Sequence, residues 1–352
     1  MIKVSIPGSV MLFGEHAVLH GKMAVVAAIN ARLQVTLTSN NNNKINLISS
    51  FGNYELSLQD LINNEAITAE WQFVINSIKH FNSQHKITSG FSLLIEDGSL
   101  KNSVGFGSSA AVVVGVLASL NKFFSYNQTQ ENLFKQALSV VHQAQNGFGS
   151  GADLAASIYG GIIGFKDFSV QKIFKKTFDL VAVYCGYKTK TADVIKIINS
   201  KIIENKDLYN YIFASIDNCS NLAISAIEQE NLTVVGKLMD VAHGLMTGLG
   251  VVDNNLDLLA CSLRAQKNIY GAKLSGAGLG DCVIGLGKLN QKTFVTAHQG
   301  GSPLRGAYCL SWPKASELRT AAKEIYPGEQ LHIFKEEQFA IETDQQGLIW
   351  LE

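Results

Sequence analysis

Val104-Gly105-Phe106-Gly107-Ser108-Ser109-Ala110-Ala111 lies between an apolar run ending at Ile95-Glu96-Asp97 and a longer apolar segment, Val112 to Phe124, that reads as a buried helix. Glycines at 105 and 107 carry no β-carbon, so the backbone can turn sharply and approach a ligand closely. Ser108 and Ser109 then open a helix, where unpaired N–H groups and the helix dipole favour an anion. A strand, a Gly-Ser loop and a helix N-terminus make a phosphate cradle. The same run also reads as an ordinary tight turn in which both serines only cap the helix. Two other phosphate motifs are excluded. Ala110 and Ala111 follow the serines, so there is no G-x-x-x-x-G-K-[ST] lysine. The dinucleotide fingerprint needs an acidic residue about twenty positions on, and Ser125-Tyr126-Asn127-Gln128 offers none before Glu131.

The chain has 352 residues, 47% apolar and 16% charged, with 29 basic and 29 acidic side chains. That composition supplies large cores, and at about 150 residues per domain the length suits two domains. The balanced charge and only four arginines, at 32, 264, 305 and 319, argue against nucleic acid or a membrane surface as partner. No run of eighteen apolar residues occurs, and the N-terminus passes straight into a strand-like alternation without a cleavable apolar segment. The five cysteines (185, 219, 261, 282, 309) form no C-x-x-C pair. They fit reduced thiols in a cytoplasmic protein.

Period-two alternation at Lys3–Ile6, Leu33–Thr38 and Lys44–Ile48 predicts strands, with the polar turn Asn40–Asn43 as a hairpin tip between the last two. Helices are predicted over 69–81, 111–124 and 130–142, then a strand at Ile162–Phe165. The pattern restarts with a strand at Val181–Cys185 and helices over 191–200, 207–229, 232–245 and 255–266, followed by a strand at 281–286. The domain boundary falls near 175, and the tail beyond about 300 ends in a strand-like Gly347–Leu351.

Three further segments carry chemistry. Gly14-Glu15-His16-Ala17 sets an acid and an imidazole after a strand, to line a polar pocket or to form a solvated turn. Gly149-Ser150-Gly151-Ala152-Asp153 places a carboxylate at the start of a helix behind a flexible loop. Asp153 is thus a candidate general base, though the helix dipole alone also favours an acid there. Lys273-Leu274-Ser275-Gly276-Ala277-Gly278-Leu279-Gly280-Asp281-Cys282 is a second glycine loop, for phosphate approach or a structural turn.

In order and spacing these segments resemble the three motifs of the GHMP superfamily of small-molecule kinases, at 7–22, 103–111 and 273–282. The likeness implies a two-domain α+β fold. A ribosomal-protein-like nucleotide domain would span 1–175 and a ferredoxin-like domain 176–352, with a tail after about 300 that is unmatched. It implies ATP and Mg²⁺, a small-molecule alcohol as substrate and no nucleic-acid or membrane partner, and it allows a homodimer. By the same likeness Gly105, Phe106, Gly107, Ser108, Ser109 and Ala110 hold the nucleotide and Ser109 the metal. Glu15, His16, Gly149, Ser150, Gly151, Thr189, Gly276, Ala277 and Gly278 meet the substrate, and Asp153 meets the reacting hydroxyl.

Gly14 to Lys22 and Leu249-Gly250-Val251 resemble the mevalonate kinase branch, whereas His142 to Asp153 and Gly280-Asp281-Cys282 resemble phosphomevalonate kinases. Two positions depart from the mevalonate kinase pattern. Ser9 stands where that branch carries a lysine, and His142 where it carries a magnesium-binding glutamate. Lys22, Lys188 and Lys190 are candidates for the missing charge, with Lys188 and Lys190 assigned to catalysis. The expected reaction is phosphorylation of the primary hydroxyl of mevalonate. The alternatives are phosphomevalonate kinase and a non-catalytic relative that binds nucleotide or metabolite as a regulator.

Overall fold

A computed structural model describes residues 1–40, 42–61, 68–100, 105–145, 147–289, 297–299, 331–333 and 338–351. The chain forms two compact units. One comprises Met1–Met11, Val26–Thr177 and Thr343–Glu352, the other Leu12–Val25 and Phe178–Glu342.

The first unit contains strands β1 (Ile2–Phe13), β2 (Ala24–Ser39), β3 (Lys44–Ser49), β4 (Gly52–Ser57), β5 (Phe91–Glu96), β6 (Ile162–Lys166) and β7 (Ser169–Phe174), and helices α1 (Gln72–Gln84), α2 (Ser108–Phe123), α3 (Gln130–Ala144) and α4 (Ala152–Tyr159). In β2, Leu33, Val35 and Leu37 are buried and alternate with partly exposed Arg32, Gln34 and Thr36. Its first half, Ala24 to Ile29, is buried throughout, so no alternation betrays it as strand. The hairpin expected around 40–43 would pair β2 with β3, and the two are not neighbours. β5 lies between β2 and β3, antiparallel to the first and parallel to the second. The hydrophobic pairs Leu37–Leu93 and Leu47–Leu93 fill that arrangement. α2 is apolar nearly all round because α1, α3 and α4 pack on it. Thr129 caps α3, its hydroxyl accepting from the Asn132 N–H at 3.1 Å.

The tail beyond 300 lies outside the described residues except at 331–333 and 338–351, as do Ser103 and Val104 of the second motif. Its last strand (Ile349–Leu351) pairs antiparallel with β1. Arg32 binds this returning segment. Its guanidinium forms an ion pair with Asp344 and donates to the carbonyls of Gly347 at 2.7 Å and Ser5 at 2.9 Å.

The second unit has a four-stranded antiparallel sheet. Its central strands are β8 (Asp179–Tyr184) and β10 (Cys282–Gly287), and β9 (Ile269–Ser275) forms the edge beyond β10. The strand Gln338–Glu342 extends it beyond β8. Helices α7 (Leu232–Leu249) and α8 (Asn254–Arg264) pack on β9 and β10, while α6 (Lys206–Glu228) packs on α7 and α5 (Thr191–Glu204) on α6. Val181, Val183, Leu259, Leu263, Leu274 and Val283 are among the buried side chains of its core. Among the described residues no helix is long and apolar enough to cross a membrane.

Candidate active site

The first unit brings three of the segments singled out by sequence onto one another. α2 starts at Ser108, and Gly107 caps it in the left-handed region (φ 64°). A β-carbon at Gly107 would fall 2.0 Å from the hydroxyl of Ser9, so no other residue fits there without displacing it. Phe106 is buried beneath the loop and its carbonyl accepts from the Ser9 N–H at 2.9 Å. Ser109 is exposed on the first turn of α2, Ser108 is half-buried, and Ala110 faces the interior. The helix end with its unpaired N–H groups is therefore open to an anion.

Asp153 sits in the first turn of α4, after Gly151 in left-handed conformation (φ 78°). The Ser150 hydroxyl accepts from the Ala152 N–H at 3.2 Å. The Ser9 hydroxyl donates to Asp153 Oδ1 at 2.7 Å. His142 lies on α3, and its Nε2 is 2.9 Å from the carbonyl of Gly149. A carbonyl only accepts, so His142 donates and ties α3 to Gly149.

The second unit joins the Gly14–Lys22 segment to the second glycine loop. Lys273 is wholly buried in β9 and forms an ion pair with the buried Glu15 carboxylate. Its ammonium also donates to the Leu274 carbonyl. Burial pushes the Glu15 carboxyl up from its ordinary value, and the Lys273 ammonium opposes that. His16 Nε2 donates to the Ala277 carbonyl at 2.7 Å, and burial lowers its pKa to about 4. Glu15 and His16 thus spend their polar atoms on the glycine loop from beneath. The His243 pKa is also lowered to about 4 by burial. The Leu274 N–H donates to its Nδ1 at 3.1 Å, which puts the ring proton on Nε2, 3.2 Å from Asp257.

The loop 276–281 is fastened to residues 185–190. The Asp281 N–H donates to the Tyr187 carbonyl at 2.9 Å, the Thr189 hydroxyl to the Leu279 carbonyl, and Lys188 Nζ lies 3.4 Å from Asp281 Oδ2. Lys188 and Thr189 therefore meet this loop at Asp281 and Leu279, Gly276 and Ala277 are partly exposed on it and Gly278 is buried, whereas exposed Lys190 stands apart as the N-cap of α5. Sequence reasoning missed Lys273 and Asp281 as partners. A lysine inside a seven-residue strand with six buried positions was the available signal for the first.

A glycine-lined helix end and a carboxylate at the start of a second helix are thus both tied to Ser9. The family model "GHMP kinases N terminal domain" matches residues 72–161, and "GHMP kinases C terminal" matches 223–296. The chain belongs to this family of ATP-dependent small-molecule kinases. Among its relatives are mevalonate kinases. That of Saccharolobus solfataricus is 30% identical over 291 residues, covering 81% of this chain and 89% of that protein. That of Pyrococcus abyssi is 28% identical over 327 residues, covering 86% and 94%. The crystal structure of Methanococcus jannaschii mevalonate kinase is similar with a TM-score of 0.71 at 24% identity, over 97% of this chain and 98% of that one. Streptococcus pneumoniae phosphomevalonate kinase shares the fold at a TM-score of 0.68 and 19% identity, over 97% and 100%.

Proposed function

We propose that this protein transfers the terminal phosphoryl group of ATP to the primary hydroxyl of mevalonate. The observation that carries the reading is the Asp153 carboxylate, held by Ser9 against the loop that opens α2. Likeness to mevalonate kinases along most of their length supplies the substrate. The transition state of phosphoryl transfer is loose and its charge lies on the phosphoryl oxygens, so positioning and charge stabilisation dominate. Gly105 to Ala110 cradle the phosphates. Asp153 orients the alcohol and takes its proton as the oxygen bonds to phosphorus and the bond to the ADP oxygen breaks.

We assign Gly149 to Gly151 of the first unit and Thr189 and Gly276 to Gly278 of the second to substrate binding, and Glu15 and His16 act through the glycine loop they support. Lys188 and Lys190 are the candidate cations of the second unit, and of the two it is Lys188 that lies beside the glycine loop, against Asp281. A Mg²⁺ ion fits the donors present. Among the described residues no group of three or more His, Cys, Asp or Glu side chains could hold a metal by itself. An ion arriving on a triphosphate needs only one or two protein oxygens, of which the Ser109 hydroxyl would provide one. Bound there, it neutralises charge on the phosphates. A cytoplasmic location suits the four described cysteines, none of which forms a disulfide.

Comparison of kcat/KM for mevalonate and phosphomevalonate tests the assignment, because that ratio is the discrimination between substrates. Mevalonate is expected to be preferred. A preference for phosphomevalonate of about tenfold or more overturns the reading, since binding its added phosphate is a separate specificity term.

A further inference from the structure

Ser9 is the residue on which the two chemical segments of the first unit converge. It is wholly buried, its N–H donates to the Phe106 carbonyl at 2.9 Å, and its hydroxyl donates to Asp153 Oδ1 at 2.7 Å. One turn further along α4, the Ser157 hydroxyl donates to the Pro7 carbonyl at 3.0 Å. Positions 153 and 157 lie on one face of the helix. β1 therefore grips α4 at two points while also holding the loop at 106–107. Gly107 passes so close that any β-carbon there would collide with the Ser9 hydroxyl.

We propose that Ser9 is a positioning residue for phosphoryl transfer, whose hydroxyl fixes the plane of the Asp153 carboxylate and registers it against the phosphate loop. This rests on the reading of Asp153 as the group that meets the substrate alcohol. The terminal torsion of an aspartate is broad and roughly two-fold, so packing alone leaves the carboxylate plane loosely set. A charge-assisted O–H···O⁻ bond selects one orientation. A hydroxyl contributes direction without charge.

A double-mutant cycle decides the matter, with kcat, affinity for a non-hydrolysable ATP analogue and thermal midpoint measured for wild type, Ser9→Ala, Asp153→Asn and the double variant. Ser9→Ala is expected to lower kcat by about 10- to 100-fold, the scale of a small misplacement of a reacting group. Analogue affinity and midpoint should stay near wild type. In the Asp153→Asn background the serine change should cost nothing further, because the two act as one unit. Ser9→Cys, nearly isosteric with a weaker donor, should fall between serine and alanine. An unchanged kcat in Ser9→Ala overturns the proposal. So does a loss of equal size with and without the Asp153 carboxylate, or a loss seen in analogue affinity alone. If Asp153→Asn itself keeps wild-type kcat, the reading of Asp153 fails, and the role of Ser9 falls with it.

Discussion

Two imidazoles of the second unit, His16 and His243, are each committed to one tautomer by a buried hydrogen bond, and each is neutral at pH 7. In the unfolded chain both titrate near 6.5, and in the folded protein near 4. Between those values the unfolded state binds more protons, so this stability is complete above pH 6.5 and is lost as pH falls toward 4. Shifts of this size correspond to about 3 kcal/mol for each group. Glu15 has the opposite slope, because burial pushes its carboxyl up. The contribution of one histidine is therefore read by difference. Urea unfolding of wild type and His243→Gln between pH 4 and 7 is expected to show a shallower decline in the variant, and parallel curves would remove His243 from the account. Ser9 shows what the sequence offers at this scale. The absent lysine is visible in the chain, but the hydroxyl that reaches Asp153 bridges 144 positions and has no local signature.

At the scale of elements, β9 docks the segment after β1 through a charge with no water around it. Lys273 and Glu15 are both buried, and burying such a pair gains little net stability while breaking it from one side is expensive. Lys273→Met leaves the Glu15 carboxylate buried without its cation and is expected to cost about 3–5 kcal/mol. The double variant Lys273→Met/Glu15→Gln should recover most of that loss, since neither charge remains. Chemical denaturation of the two variants makes the comparison. A double variant no more stable than the single one would mean that the lysine stem, rather than the charge, holds β9 in place. Helix interiors were legible from their 3.6-residue periodicity, as in α3 and α6. Elements buried on both faces were not. The first half of β2 gives no alternation, and β9 was read only as the approach to a glycine loop because six of its seven residues are buried.

For the whole molecule, the notable feature is the return of the C-terminus. Residues 343–352 belong to the first unit although they follow the second unit in the chain. Arg32 fastens them through the Asp344 carboxylate and the Gly347 carbonyl, and both side chains of the ion pair are mostly buried. Hydrogen bonds to a charged group contribute about 1.5–3 kcal/mol each, so Arg32→Met is expected to destabilise by about 2 kcal/mol after partial solvation of what remains. Its local consequence is sharper than the global one. Amide hydrogen exchange at 349–351 and along the paired residues of β1 should accelerate in the variant before the rest of the unit does. Exchange that rises evenly across the unit would show that Arg32 supports the core at large.

The sequence by itself determined the chemical vocabulary of this protein: the glycine-flanked serines that open α2, the carboxylate that opens α4, and the second glycine loop. It did so because backbone turns, helix ends and anion cradles are specified by a few adjacent residues. It also disclosed the family, through the order and spacing of those segments. Only the tertiary structure decided how they are joined. That β5 separates β2 from β3, that Lys273 pairs with Glu15, and that the Ser9 hydroxyl reaches Asp153 are pairings across 46 to 258 positions. Such pairings depend on which surfaces exclude water together, and burial is a property of the folded chain rather than of any stretch within it.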